Sequence, residues 1–178
     1  EQAKEAQDAA LEFMLLNHPL DCPVCDKGGE CPLQDLTFKY GPGNSRMTLP
    51  KRTYEKPLPI SPSIVLDRER CILCYRCTRF SSDVAEDGEL VARERGAASV
   101  IATFDERPYD GVFSGNVTEL CPVGALLPTA YRFKARPWEI VNVPTVCTGC
   151  ATGCNTWSTL RENRVERILS RNHAAVDE

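Results

Sequence analysis

The chain has 178 residues, ten of them cysteine, with 21 basic against 25 acidic side chains and a net charge of −4 at pH 7. That balance argues against a general nucleic-acid binder, because neutralising a phosphate backbone takes clustered Lys and Arg. No apolar run approaches the roughly 20 residues that cross a bilayer, and no secretory leader pattern is present.

The length accommodates one ordinary domain or two or three small ones. The chain begins at Glu1 without a Met and ends in polar residues, so it is expected to be a piece of a longer protein. Its cysteines are bunched, and each group opens with a C-x2-C step. Without a secretion signal, that pattern points to metal-wrapping turns in a reducing compartment rather than to disulfides.

In chain order, residues 1–16 (EQAKEAQDAALEFMLL) carry Ala3, Ala6, Ala10 and Phe13 near helical period, which predicts a helix. Such a helix either docks on a partner or packs on its own domain. The first cysteine group follows: His18, Cys22, Cys25 and Cys31. Residues 42–62 hold five prolines and read as a linker or wrapping loop. SIVLD (63–67) and VIATF (100–104) are strand candidates on either side of the second group, Cys71, Cys74 and Cys77. VGALLPTAYRF (123–133), just after Cys121, reads as a helix interrupted by Pro128. PWEIVNV then leads into the third group, Cys147, Cys150 and Cys154, and NTWSTL with RVERIL alternates like a hairpin around Glu162-Asn163. The expected fold class is α+β: small metal modules in series, in which bound metal supplies cohesion that a small core lacks. The expected divisions are 1–40, a linker over 41–62, 63–136 and 137–178.

The middle group is the most specific signal. CILCYRC (71–77) has the C-x2-C-x2-C spacing with which three thiolates cap one face of a cubane cluster. In two-cluster ferredoxins the run continues x3-C-P, and that fourth cysteine serves the other cluster; here the position is Ser81. The second half of such a domain would also end in C-P, and Cys121-Pro122 supplies that ending. Counting back from Cys121 at the same spacing gives Val117, Ser114 and Gly111 in place of three cysteines. All four ligands of one cluster are replaced, and the four of the other, Cys71, Cys74, Cys77 and Cys121, remain. The reading is a ferredoxin-like domain with a single [4Fe-4S] cluster. A four-thiolate zinc site is the competing reading, but zinc sites use paired C-x2-C knuckles rather than a triple run with a remote C-P.

The first group offers three thiolates and one imidazole on a short loop stiffened by Pro19, Pro23 and Pro32. Three cysteines and one histidine serve zinc as readily as an iron–sulfur cluster, so its spacing leaves both open.

Taken together, HPLDCPVCDKGGECPLQ, DRERCILCYRCTRF, FSGNVTELCPVGAL and YRFKARPW, in that order, resemble the large iron–sulfur subunit of NADH:quinone oxidoreductase, respiratory complex I (the 75-kDa subunit). The resemblance covers essentially the whole chain. It implies that His18, Cys22, Cys25 and Cys31 bind a [4Fe-4S] cluster with one histidine ligand, and that Cys71, Cys74, Cys77 and Cys121 bind a second. It implies a preceding domain with a [2Fe-2S] cluster and a following molybdopterin-oxidoreductase-like domain, of which at most the start is present. CTGCATGC (147–154) resembles the cluster-binding entry of that domain. Cys147, Cys150 and Cys154 would hold a third cluster whose fourth ligand lies beyond Glu178. Ten cysteines and His18 make eleven ligands, one short of three complete sets. His173 is a candidate twelfth, although a histidine in a polar tail is more often simply exposed.

No nucleophile–base pair and no flavin, nucleotide or quinone site is legible, so there is no candidate catalytic residue. The implied chemistry is one-electron transfer, with the protein setting potential and position. Arg68, Arg70, Arg76 and Arg79 either stabilise the reduced middle cluster or form a solvated, salt-bridged face. The resemblance implies partners in the flavin- and NADH-binding subunit and other iron–sulfur subunits of complex I. It also implies a place in the peripheral arm at the cytoplasmic face of a bacterial plasma membrane, with membrane contact only through the assembled complex. Two rivals stand: the electron-input region of an NAD(P)-linked hydrogenase or formate dehydrogenase, and a zinc-stabilised interaction module without redox function. The former typically keep both ferredoxin clusters, against which Ser81, Gly111, Ser114 and Val117 count.

Overall fold

The structure, a computed structural model, describes residues 1–172; His173 lies outside them. The chain divides after Thr129 into two units.

In the first unit the expected N-terminal helix forms as α1, Gln2–Leu15. It packs on its own unit, burying Leu11 and Glu12. The open carbonyls at its C-terminus are capped by Lys51, whose Nζ donates to Leu15 O at 2.9 Å and Leu16 O at 3.0 Å, a cation placed at the negative end of the helix. The proline-rich stretch runs alongside this helix in the same direction, Arg46 meeting Glu12, Lys51 meeting Leu15 and Arg52 meeting Asn17. Arg46 forks onto the Glu12 carboxylate at 2.6–3.0 Å and holds that carboxyl below its usual range. A second helix, α2 (Pro32–Tyr40), starts immediately after Cys31 with Pro at its first turn, a position that needs no amide donor.

A three-stranded antiparallel sheet follows, from β1 (Leu58–Pro59), β2 (Ile64–Leu66) and β5 (Leu126–Pro128), in the order β1-β2-β5. Between β2 and β5 the chain makes a short helix α3 (Arg76–Arg79) that runs into a π turn, then a hairpin of β3 (Leu90–Arg93) and β4 (Val100–Thr103), then α4 (Asn116–Leu120). Both expected strands, around 63–67 and 100–104, are present. The helix expected over 123–133 is not. Ala125, Leu126 and Leu127 are all buried, and a short run buried on both sides satisfies its backbone best as a strand, here pairing Leu126 with Leu66 and Pro128 with Ile64.

One apolar cluster joins Leu11 and Leu33 from the first cysteine segment to Ile64, Leu66, Leu90, Ile101, Val117 and Leu126. The first two cysteine groups therefore share a core rather than standing on separate small ones.

The second unit is a three-stranded antiparallel sheet, β6 (Val141–Val146), β7 (Asn155–Arg161) and β8 (Arg164–Ser170), in chain order. The expected β7–β8 hairpin turns at Glu162 and Asn163, both at positive φ (48° and 64°), the two-residue turn whose twist matches antiparallel strands. Among the described residues no helix is long and apolar enough to cross a membrane.

Candidate metal centres

The second cysteine group sits where a loop meets α3. Cys74 lies between Leu73 and Tyr75, both held at positive φ (54° and 58°), a conformation that costs a side-chain-bearing residue about 1–3 kcal/mol. The reward is direction: the chain coils back on itself, and the Leu73 amide donates to Cys71 Sγ at 3.4 Å. Cys121 arrives from the other side, at the end of α4. Cys71, Cys74, Cys77 and Cys121 line one hollow, walled by apolar side chains that include Leu66, Ile101 and Leu126.

Cys77 and Cys121 are buried, Cys71 is half-buried and Cys74 is exposed. Burial, reinforced by the neighbouring thiols, pushes Cys71 up to about 11 and Cys77 up to about 12. Burial raises Cys121 too, while the backbone amides of Val123, Leu126 and Ala125 pull against it. Soft sulfur donors converging on one hollow, with amide N–H groups aimed at a sulfur, fit a thiolate-bound iron–sulfur cluster.

Two of the four positions where a two-cluster ferredoxin places its other ligands, Ser81 and Gly111, meet at one carboxylate, Asp87. Ser81, fully buried in the π turn, hydrogen-bonds Asp87 and accepts the Leu90 amide at 3.1 Å. Gly111 packs so closely that a Cβ there would stand 2.7 Å from Asp87 Oδ2, and its amide donates to Glu89 Oε2 at 3.2 Å. Val117 is fully buried. A serine, a glycine and two carboxylates thus occupy ground where cysteines would otherwise stand.

In the first group, Cys22 and Cys25 flank a 3-10 turn, and the Cys25 amide donates to Cys22 O at 3.4 Å. Cys25 is buried, Cys31 half-buried and Cys22 exposed. Burial raises Cys25, the nearby Arg70 charge lowers it, and Cys31 raises it, which places both thiols in one neighbourhood. His18 closes the end of α1, its amide donating to Leu15 O at 3.2 Å. The imidazole is half-buried on a groove that Cys71 also lines, and its Nδ1 has no hydrogen-bond partner. Burial first, then Lys51 and Arg70, lowers its pKa and keeps the ring neutral, the state in which imidazole ligates metal. A neutral imidazole and three thiols fit the donor set that a cluster with one histidine ligand needs.

Of the four arginines, Arg70 alone is buried, and it serves the first group rather than the second. Its guanidinium bonds Asp21 at 2.9 Å and Asp67 at 3.2 Å, and Asp21 also takes Lys56 at 2.8 Å. Burial pushes the Asp21 carboxyl up, but these bonds outweigh it and hold it below its usual range. Arg79 makes an exposed pair with Asp83 at 3.8 Å, and Arg68 donates to Ile101 O at 3.2 Å.

In the second unit, Cys147, Cys150 and Cys154 are exposed on the loop that joins β6 to β7. The Cys147 amide donates to Cys154 O at 2.8 Å, and hydrogen bonds from Thr152 lower the Cys150 pKa. Among the described residues, no three His, Cys, Asp or Glu side chains converge closely enough to hold a single metal ion. Sequence proximity assigns Arg70 to the second group, since it adjoins Cys71; folding turns its side chain to Asp21, which precedes Cys22, and so to the first group.

Residues 7–46 match a family described as the NADH-ubiquinone oxidoreductase-G iron–sulfur binding region, and residues 61–127 the ferredoxin-like domain of NADH-quinone oxidoreductase subunit 3. The chain is 51% identical over 176 residues to the NADH-quinone oxidoreductase G-subunit of Streptomyces coelicolor, covering 99% of this chain and 21% of that protein. It is 49% identical over 178 residues to the G-subunit of Mycobacterium tuberculosis, covering 100% and 22%. With subunit 3 of the Thermus thermophilus enzyme it shares 45% identity over 188 residues, covering 98% and 24%. The chain thus spans about a fifth to a quarter of the length of these relatives. A crystal structure of an NAD+-reducing [NiFe]-hydrogenase in the H2-reduced state is similar with a TM-score of 0.64 and 30% identity, over 76% of this chain and 58% of the hydrogenase chain.

Proposed function

Because the chain belongs to the family of the NADH-quinone oxidoreductase G-subunit, an iron–sulfur family, we propose that it is the cluster-bearing stretch of an electron-transfer subunit in the peripheral arm of complex I. Cys71, Cys74, Cys77 and Cys121 hold one [4Fe-4S] cluster, and His18, Cys22, Cys25 and Cys31 hold another. Cys147, Cys150 and Cys154 contribute to a third, completed by a ligand outside the described residues. When bound, such clusters take up and release single electrons. The chain's own residues do the rest. Leu66, Ile101 and Leu126 exclude water around the second group. The amides near Cys121 stabilise charge on its sulfur. Arg70 brings a buried positive charge to the first group. Electrons then pass from the NADH- and flavin-binding partner towards quinone, both of which lie on other subunits, and a [2Fe-2S] domain precedes this stretch.

The observation that carries the reading is the convergence of four thiols from two distant segments on one apolar hollow. Anaerobic purification of the full-length subunit, with iron and sulfide analysis and EPR after reduction, tests it. The expected result is reducible [4Fe-4S] signals; stoichiometric zinc without a reducible signal contradicts it. The likeness to the NAD+-reducing hydrogenase favours a second reading, electron input to a hydrogenase. The sequence following Glu178 separates the two.

A further inference from the structure

The first two cysteine groups meet at one turn. Cys121 and Val123 belong to the second hollow, but Pro122 and Gly124 lie against the first group. Pro122 O lies 3.7 Å from Cys31 Sγ. Gly124 lies against Cys25: a Cβ built on it would overlap Cys25 Sγ, with Lys27 Cβ at 3.5 Å and Arg70 Cδ at 3.6 Å. The φ of Gly124 is not positive, so the backbone does not require glycine there; the space does. Between these contacts, Val123 is fully buried and its amide points at Cys121. The turn 121–124 is therefore a wall with a cysteine group on each side.

We propose that Gly124 is a positioning residue of the first centre, supplied by the ferredoxin-like segment, so that one four-residue turn gives the second group a thiol and the first group the space for its Cys25 sulfur. The proposal deepens the electron-transfer reading and rests on it for the identity of what the ligands bind. Its geometric content, that Gly124 makes room for the Cys25 sulfur, stands apart from that reading. A cysteine can swing away from an added methyl group by rotating about χ1, but a ligating cysteine has no such freedom. A methyl group at 124 thus acts selectively on the first centre. The wall also fixes the separation of the two centres, since Cys121, Pro122 and Gly124 are covalently continuous.

The test uses Gly124→Ala in the full-length subunit, with three readouts. In the reduced, iron-loaded subunit the EPR signal of the first centre is expected to be lost or shifted, while that of the Cys71 centre keeps its shape and potential. In the iron-free subunit, where the cluster assignment plays no part, alkylation of Cys25 by iodoacetamide is expected to be at least about tenfold faster than in the parent, because the displaced thiol leaves its buried site. The third readout is a double-mutant cycle in thermal unfolding. Gly124→Ala lowers the melting temperature when Cys25 is present and loses most of that effect in a Cys25→Ala background, where the sulfur is gone. An equal drop in both backgrounds overturns the proposal, as does unchanged Cys25 alkylation. If the subunit binds no iron while Cys25 responds as expected, the electron-transfer reading fails and the positioning role of Gly124 survives.

Discussion

The second and third cysteine groups share a C-x2-C opening, yet the fold treats them in opposite ways. Cys77 and Cys121 are buried beside an apolar core with amides aimed at sulfur, whereas Cys147, Cys150 and Cys154 stand exposed on one hairpin loop. The contrast shows what a core does for a metal site. It brings thiols from distant segments together, at the cost of holding them in surroundings that resist their ionisation. The exposed loop makes Cys150 easier to ionise, through hydrogen bonds from Thr152, but draws all three thiols from one short stretch.

The largest expected difference comes from removing one thiol on each side of that comparison. In the full-length subunit, Cys121→Ser is expected to abolish the second centre's EPR signal and to remove about four irons per chain. Cys154→Ser is expected to leave the signal of the Cys71 centre unchanged. A Cys121→Ser protein with full iron content and an unaltered signal would mean that Cys121 is not a ligand.

Next in size is the buried ion pair next to the first group. Arg70→Gln leaves Asp21 and Asp67 with Lys56 as their remaining cation, and breaking a buried pair by removing one partner costs about 3 kcal/mol, read as a lower thermal midpoint. In the iron-loaded subunit the loss of positive charge lowers the potential of the first centre more than that of the second. Arg70→Lys, which keeps the charge, restores much of that shift; an equal change at both centres would show that Arg70 acts through general loosening.

The smallest test touches no ligand bond. In the iron-free protein at pH 8, Cys71, raised to about 11 from an ordinary value of 9.0, is expected to alkylate about a hundredfold more slowly than an unperturbed thiol. Cys77, at about 12, is slower still, and Cys150, with its pKa lowered, is faster. The sign follows from burial: desolvation disfavours the thiolate, so the rates at Cys71 and Cys77 keep rising as pH climbs towards their pKa values, well above the point where Cys150 has levelled off. Equal rates at all three positions would erase the contrast between core and loop.

Much of this organisation is legible in the sequence because it rests on short-range spacing. The period of residues 1–16 predicts α1, the runs SIVLD and VIATF predict β2 and β4, alternation predicts the β7–β8 hairpin, and the offsets of Ser81, Gly111, Ser114 and Val117 point to a replaced ligand set. What is not legible depends on tertiary context. Leu126 becomes strand because Leu66 lies opposite it, not because of any period in VGALLP. The start of α2 is signalled by Pro32, but the cysteine pattern beside it masks the helical period of so short an element. Arg70 adjoins Cys71 in sequence, yet its side chain turns to Asp21 and the first group. Gly124 meets Cys25 from far along the chain.

The most direct test of the central claim is EPR-monitored redox titration of the full-length subunit carrying His18→Ala. The signal of the first centre is expected to be lost or moved while that of the Cys71 centre stays where it was. If both signals survive intact, His18 is not a ligand, and the reading of the first group as three thiolates and one imidazole is contradicted.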